Sequence, residues 1–400
     1  MPKVAVVGGS IGGLCAGIAL RGIGCDVEIY ERAQGPMTSR GAGIVTRPPL
    51  LRLLRDGGAP ELPTTSCLYR HFLLPDGGDG LRTEAPLRFT SWSAIYRTLR
   101  AAFPEEHYQH GSTLTGFDQT ANCVLVRFAE RDEVKSDLLI CAEGSRSDTR
   151  RRLLPEVYPR YAGYVAWRGT VEEASAPAQL VRFFDHSFTI CEGRSGGHIL
   201  CYVIPGADAA TEVGRRQLNW VWYVSVSDGP ELERLLRDKT GVLHESSVSA
   251  GMVRADLTAQ VHATAARELH PCFVELVQRT TEPFIQAIID VAVPRMAFGR
   301  VCLLGDAAFV LRPHPAAATA KAAADATALA DALIAKPDDP PVALTAWETR
   351  QLKHGRALAD QAAATGRRSV EERISSATLS DATERFRGVS PPSLHLERGA

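Results

Sequence analysis

The chain has 400 residues, 45% of them hydrophobic, which is enough for one large or two moderate globular domains. Its 45 lysines and arginines balance 46 aspartates and glutamates, so no charged surface predicts a nucleic-acid partner. The nine cysteines are scattered and never form C-x-x-C, which argues against disulfides, zinc or a dithiol pair and favours reduced thiols in a cytoplasmic protein.

The start of the chain predicts a β-α-β unit. Residues 3–8 are a short apolar run that ends in glycine, residues 12–23 are small and apolar with helical spacing, and residues 26–30 form a second strand before Glu31. Such units build doubly wound sheets. Because glycines interrupt the first apolar run and Arg21 follows it, it is not a signal peptide, and no uncharged apolar stretch of about 18 residues predicts a membrane partner.

The remaining elements divide between two predicted domains. Strands at 124–128 and 137–142 are expected to rejoin the first sheet, and residues 300–308 predict another buried strand before an alanine-rich helix at 316–335. Between them, aromatic and β-branched runs broken by glycines predict a mostly antiparallel sheet. The predicted fold is therefore α/β, with a Rossmann-like nucleotide-binding domain (1–63, 91–158 and 283–335), an inserted substrate-binding β-sheet domain (64–90 and 159–282), a C-terminal helix (343–375) and a flexible tail (376–400).

The first motif is Gly-Gly-Ser-Ile-Gly-Gly at 8–13, a variant of G-x-G-x-x-G. Gly8 suits the tight turn after the strand and Gly13 suits close packing of helix on strand, while the Ser10 hydroxyl can donate to a phosphate oxygen. Glu31 follows at the distance expected of a ribose-binding acid. The alternative is a glycine-rich turn that binds no ligand.

Two further motifs contain residues suited to a nucleotide. In "CAEGSRSDTRRRLL" (141–154), Glu143 can accept from a ribose or hold a backbone turn, and the arginines can face phosphates or simply solvent. In "LLGDAAFVLRPHPAAATAK" (303–321), Asp306 ends a strand where it can reach ribityl or ribose hydroxyls. Pro313 and Pro315 introduce a helix whose free N–H groups can face an anion. The alternative for this stretch is an ordinary β-α turn with a core helix.

Together, and in this order, the three motifs resemble the group A FAD-dependent aromatic hydroxylases, the para-hydroxybenzoate hydroxylase-like family, over residues 3–375. The stretches "YAGYVAWRG" (161–169), "RPHPAAATAK" (312–321) and "WETRQL" (347–352) are most similar to the dihydroxypyridine-hydroxylating subgroup. The resemblance implies that FAD is reduced by NAD(P)H and that O₂ forms a C4a-hydroperoxide. Its terminal oxygen would then hydroxylate a small hydroxylated aromatic or N-heteroaromatic ring.

The resemblance also implies a set of cofactor contacts along the nucleotide-binding domain. The pyrophosphate would lie at the glycine turn, the adenosine ribose at Glu31, and the flavin ring at the loop 313–319. Arg47 could meet either an anionic substrate or the nicotinamide phosphates. The candidate cofactor-binding residues are Gly8, Ser10, Ile11, Gly13, Glu31, Arg32, Arg47, Glu143, Asp306, Pro313, Ala316, Ala317 and Ala318.

The candidate catalytic residues are His314 and Pro313, because the flavin loop would bring them near the ring, and His314 is also a candidate substrate ligand. Tyr202, Trp222 and Tyr223 on the inserted sheet are candidates to line the substrate cavity. Adjacent strand residues point to opposite faces, so Trp222 and Tyr223 cannot both do so.

Several departures from the family pattern leave other functions open. Glu143 replaces an aspartate, Phe309 a histidine, Ala318 a glycine, Ala320 an asparagine and Trp92 an arginine. The Cβ of Ala318 is expected to crowd the flavin edge. One alternative is a tailoring hydroxylase or epoxidase that acts on a larger natural product. Another is a degenerate FAD-binding protein without turnover. A homodimer is also left open.

Overall fold

The computed structural model describes residues 2–37 and 43–370, so the predicted tail at 376–400 and the last five residues of the predicted C-terminal helix lie outside it. Within these ranges, no helix combines the length and hydrophobicity needed to cross a bilayer. The strands are β1 (Lys3–Val7), β2 (Asp26–Tyr30), β3 (Gly43–Val45), β4 (Thr65–Leu73), β5 (Asp79–Ser91), β6 (Tyr108–Gln109), β7 (Leu114–Gln119), β8 (Val124–Phe128), β9 (Val134–Ser136), β10 (Leu138–Cys141), β11 (Arg160–Glu172), β12 (Ser187–Glu192), β13 (His198–Ile204), β14 (Gln217–Ser225), β15 (Ser247–Val248), β16 (Phe284–Ala292), β17 (Ala297–Phe298), β18 (Val301–Leu303) and β19 (Phe309–Val310).

Helices cover both sheets and join them. They are α1 (Ile11–Gly22), α2 (Pro48–Asp56), α3 (Trp92–Ala101), α4 (Asp148–Leu153), α5 (Ala178–Phe184), α6 (Pro230–Leu236), α7 (Ala255–Glu268), α8 (Pro271–Gln278), α9 (Ala318–Ala335) and α10 (Pro340–Val370). Short 3₁₀ helices lie at Glu105–His107, Glu173–Ser175 and Gly305–Ala307.

The first sheet has the strand order β17-β18-β10-β1-β2-β6 and is mostly parallel. Its central strand β1 is buried from Val4 to Val7, as expected of a parallel strand covered by helices on both faces. The expected return of the strand at 137–142 is confirmed, because β10 pairs in parallel with β1. The expected return of 124–128 is wrong: β8 alternates buried and half-buried residues, and it pairs with β7 and β9 in a separate antiparallel sheet.

The second sheet runs β15-β16-β11-β14-β13-β12-β4-β5-β3, with β19 beside β16, and is mostly antiparallel. The predicted fold class is therefore confirmed. Strands β3 and β16 belong to this sheet, although the predicted division assigns their residues to the nucleotide-binding domain. The residue pattern of a strand shows which of its faces is buried but not which strand it pairs with. The sequence alone therefore does not assign β3 and β16 to a sheet. The other domain boundaries stay a prediction.

The two faces of the second sheet have different neighbours. Residues such as Val165, Trp167 and Trp220 pack in one core with α6, α7 and α8. The opposite face, which includes Tyr164 and Tyr223, faces the loops of the first sheet; we call it the cleft face. Parallel strands end at one edge of a sheet, so the turns after β1, β10 and β18 meet at this cleft.

Candidate active site

The glycine turn after β1 is shaped by contacts that no side chain can replace. Gly8 has φ +98°, and a Cβ there would lie 2.4 Å from the carbonyl oxygen of Ala142 on the neighbouring strand end. A Cβ on Gly13 would lie 1.8 Å from the carbonyl oxygen of Gly8. The amino end of α1 is thereby brought close to the end of β1, where its free N–H groups face the cleft.

The first turn of α1 leaves its donors free for a ligand. Ser10 precedes the helix, and its hydroxyl makes no capping hydrogen bond. The first turn contains no acidic side chain that would compete with an anion. Ile11 packs its side chain into the core, so only its backbone N–H is available to a cofactor.

Glu31 is buried beside this turn and holds it in place. Its two carboxylate oxygens accept from the N–H groups of Gly9 and Ala33, each at 2.8 Å. The Tyr108 hydroxyl donates to the Gly9 carbonyl oxygen at 2.8 Å. Two of the four acceptor positions on the carboxylate are thus used, and two remain for hydroxyl donors such as those of a ribose. The side chain of Arg32 is exposed next to it.

The turn after β10 is held by its own side chains. Glu143 Oε2 accepts from the Ser147 hydroxyl at 2.6 Å and from the Thr149 N–H at 3.2 Å. Glu143 therefore holds this turn, which is one of the two roles considered for it from sequence. Arg150 is fully buried and donates to the carbonyl oxygens of Ser145 and Ala307 at 2.5 and 3.2 Å. It therefore joins the turns after β10 and β18 and is not one of the solvated or phosphate-facing arginines considered from sequence.

The turn after β18 lies above a buried ion pair that the sequence did not reveal. Lys321 and Asp325 on α9 are almost fully buried, with Lys321 Nζ 2.6 Å from Asp325 Oδ2, which also accepts from the Gly305 N–H at 3.2 Å. Asp306 is open to the cleft, but the surrounding protein and the nearby Asp325 charge raise its pKa to about 6 against the opposing charges of Lys321 and Arg150. The i, i+4 spacing of Lys321 and Asp325 in an alanine-rich helix is the sequence feature that could have indicated this ion pair.

The loop before α9 is tied across the cleft. Arg47 donates to the Pro315 carbonyl oxygen at 2.8 Å. The residue predicted to contact substrate or the nicotinamide phosphates therefore has a hydrogen-bond partner within the protein. The Ala316 N–H donates to the Pro313 carbonyl oxygen at 2.9 Å, and Ala316 has φ +49°. Ala317 precedes the helix without a side-chain cap. Ala318 is already helical, and the left-handed backbone of this loop is at Ala316. The expected crowding of the flavin edge by the Cβ of Ala318 stays a prediction.

His314 lies in a cluster of aromatic and basic side chains on the cleft face. Its Nε2 is 2.8 Å from the Tyr164 hydroxyl, and its ring centroid is 4.7 Å from that of Tyr223 and 5.7 Å from that of His198. Burial, together with the charges of His198 and Arg312, holds the pKa of His314 well below its usual range. The imidazole is therefore neutral at pH 7, and its unprotonated nitrogen can accept a hydrogen bond.

The far side of this cluster is closed by an ion pair and by the last helix. Arg312 binds Asp290 through Nε at 3.0 Å and a terminal nitrogen at 2.8 Å. On α10, a Cβ at Gly366 would lie 2.7 Å from the Tyr164 hydroxyl, so only a residue without a side chain allows the helix this close. Tyr164, Arg312 and Asp290 were not singled out from sequence, because their roles depend on contacts between distant segments.

The structure separates the three aromatic candidates on the sheet. Tyr223 faces the cleft beside His314, whereas Trp222 is 2% exposed and packs in the core under the helices. Tyr202 is on the cleft face, with its ring stacked on Phe89 at a centroid distance of 4.3 Å. Trp222 is thus on the face away from the site, and Tyr202 and Tyr223 remain substrate candidates.

Comparison with known proteins covers nearly the whole chain. A family profile described as FAD binding domain-like matches residues 161–290. The chain is 37% identical over 358 residues to 2,6-dihydroxypyridine 3-monooxygenase from Paenarthrobacter nicotinovorans, covering 89% of this chain and 88% of that protein. It is 27% identical over 353 residues to 6-hydroxynicotinate 3-monooxygenase from Pseudomonas fluorescens, covering 83% and 82%. The solved structure of 2,6-dihydroxypyridine-3-hydroxylase from Arthrobacter nicotinovorans matches with a TM-score of 0.85 at 33% identity, covering 94% of this chain and 95% of that one.

Proposed function

The chain belongs to the family of FAD-dependent aromatic hydroxylases, and we propose that it hydroxylates a small hydroxypyridine-like ring with consumption of NAD(P)H and O₂. It is an FAD-dependent aromatic monooxygenase. The observation that carries the narrower substrate class is the 37% identity, over nearly the full length of both chains, to an enzyme named for 2,6-dihydroxypyridine. The aromatic side chains around His314 support it.

The described residues fit FAD. Three features suit a pyrophosphate followed by a ribose. They are the space that a Cβ at Gly8 or Gly13 would fill, the uncapped start of α1, and the free acceptor positions on Glu31. The uncapped start of α9 would offer its free N–H donors to a carbonyl oxygen of the flavin ring. When bound, FAD supplies the electron transfer and O₂ activation that protein side chains lack.

The chain's own part in the reaction is to hold and to orient the ring. The hydrogen bond between Tyr164 and His314 Nε2 fixes the imidazole, and His314 Nδ1 makes no hydrogen bond to the described residues. We propose that Nδ1 accepts a hydrogen bond from a substrate hydroxyl and so orients the ring for hydroxylation. Tyr223 packs against the imidazole with its ring tilted and helps to exclude water from this end of the cleft.

The test is a substrate screen with the FAD-loaded protein. 2,6-Dihydroxypyridine, 6-hydroxynicotinate, a hydroxyquinoline and para-hydroxybenzoate are compared for stimulation of NADH and NADPH oxidation and for a product heavier by one oxygen atom. We expect a hydroxypyridine to give both. Stimulation without the oxygenated product excludes that compound as the substrate. A protein that stays colourless with saturating FAD and oxidises no NAD(P)H would instead be the degenerate FAD-binding protein.

We also propose a cellular location and an oligomeric state. A cytoplasmic location is supported by nine free cysteines, eight of them buried, which suits a reducing compartment. A homodimer stays a prediction that size-exclusion chromatography with light scattering would test.

A further inference from the structure

Arg168 lies on the cleft face in the middle of β11. Residues alternate between faces along a strand, so Arg168 shares its face with Tyr164 and Ala166. Its neighbour Gly169 faces the other way, because a Cβ there would lie 2.8 Å from the Trp220 ring in the helix-covered core. The guanidinium therefore extends toward the same cleft as His314.

Three neighbouring strands make a shallow floor beside Arg168. The register places Arg168 opposite Val221 on β14, and Val221 opposite Leu200 on β13. Tyr223 stands at one end of this floor and Tyr202 at the other, four residues apart along the register. At about 3.3 Å per residue this separation is about 13 Å, which leaves room for a small ring between the two tyrosines.

The flavin loop spans this floor. His314 packs on Tyr223 at one end, and Ala316 packs against the hydrophobic cluster that contains Tyr202 at the other. The floor thus lies under the loop, with a tyrosine at each end. Arg168 stands beside this floor on β11, between β14 and β16.

Arg168 brings a positive charge without a counter-charge. No carboxylate among the described residues lies within ion-pair distance of it, and its buried Nε has no hydrogen-bond partner. By contrast, Arg312 and Arg216 each pair with a carboxylate. Burial raises the pKa of Tyr223 and of Tyr202, and the nearby guanidinium of Arg168 opposes the rise in both. Arg168 is half-buried, and a buried guanidinium Nε without a partner favours an acceptor beside it, so this part of the cleft favours a negatively charged ring.

We propose that Arg168 is the counter-ion of the substrate oxyanion, so that the site selects its hydroxylated N-heteroaromatic ring in the deprotonated form. The inference rests on the proposed function and narrows it to anionic rings. Arg168 is in this view a specificity-determining residue. Its planar guanidinium suits a ring that carries adjacent oxygen and nitrogen acceptors.

The test compares an ionisable ligand with one that cannot ionise. Binding of 2,6-dihydroxypyridine and of its dimethyl ether is measured from the change in flavin absorbance, for the wild type, Arg168→Gln and Arg168→Lys. We expect Arg168→Gln to weaken binding of the dihydroxypyridine about 10- to 100-fold and binding of the ether less than about twofold. Arg168→Lys should restore part of the loss. Arg160→Gln, the same change at the exposed start of β11, is the matched control and should alter neither.

The outcomes separate this inference from the proposed function. Equal loss of both ligands in Arg168→Gln would show that Arg168 supports the shape of the pocket, and unchanged binding of both would show no role; either refutes the inference while hydroxylation by the wild type stands. A wild type that binds no hydroxypyridine would refute the proposed function and the inference with it. The FAD dissociation constant of each variant shows whether it is folded, and Arg168→Lys keeps the test valid if Arg168→Gln is not.

Discussion

Removing the carboxylate of Asp325 should destabilise the protein severely. Lys321 is 2% exposed and Asp325 is 0% exposed, and their charged groups are 2.6 Å apart on the buried side of α9. Asp325→Ala would leave the ammonium of Lys321 buried without a counter-charge and the Gly305 N–H without its acceptor. Breaking a buried ion pair by removing one partner costs about 3–5 kcal/mol, a large part of the about 5–15 kcal/mol that keeps a domain folded.

Urea unfolding followed by circular dichroism measures this loss, with and without saturating FAD. Asp331→Ala, an exposed aspartate on the same helix, is the control and should change the free energy of unfolding by less than about 0.5 kcal/mol. The double variant Lys321→Met with Asp325→Leu should recover most of the loss, because apolar residues of similar volume replace a buried pair at little cost. A loss below about 1 kcal/mol in Asp325→Ala would show that the ammonium is hydrated or re-paired, and that the reasoning is wrong.

Three other changes have defined outcomes. Ala316→Gly should raise the free energy of unfolding by up to about 1 kcal/mol in urea titrations, because it removes left-handed strain at φ +49°; a loss of stability would contradict this. Gly13→Ala should abolish FAD binding in a fluorescence titration, since its Cβ would lie 1.8 Å from the Gly8 carbonyl oxygen; normal FAD affinity would show that the turn is not rigid. The lowered pKa of His314 means that the unfolded chain binds the proton better, so stability present above pH 6.5 is lost as the pH falls below it. His314→Gln should therefore lose less stability than the wild type between pH 7 and 5. Asp306, whose pKa is raised to about 6, contributes in the opposite direction, but it is present in both proteins and drops out of the comparison.

The β-α-β unit and its ligand followed from the sequence because they depend on local features. A strand buried on both faces is a continuous apolar run, the turn after it needs glycine, and the acid follows at the end of the next strand. Gly8, Gly13 and Glu31 occupy these places in the structure. The family and its cofactor were identified from such segments together with the subgroup stretches, and the comparisons confirmed both.

The substrate side of the cleft was decided by tertiary structure. Alternation along β14 says that Trp222 and Tyr223 face opposite ways, but only the layer of helices on one face shows which of them reaches the cleft. The same reason hid Arg168, since an arginine in an apolar strand has no visible role until its face and its lack of a counter-ion are known. The pairing partner of each buried charge, and the strand that continues each sheet, come from segments far apart in the chain. Periodicity within one segment carries no information about them, and the packed fold supplies it.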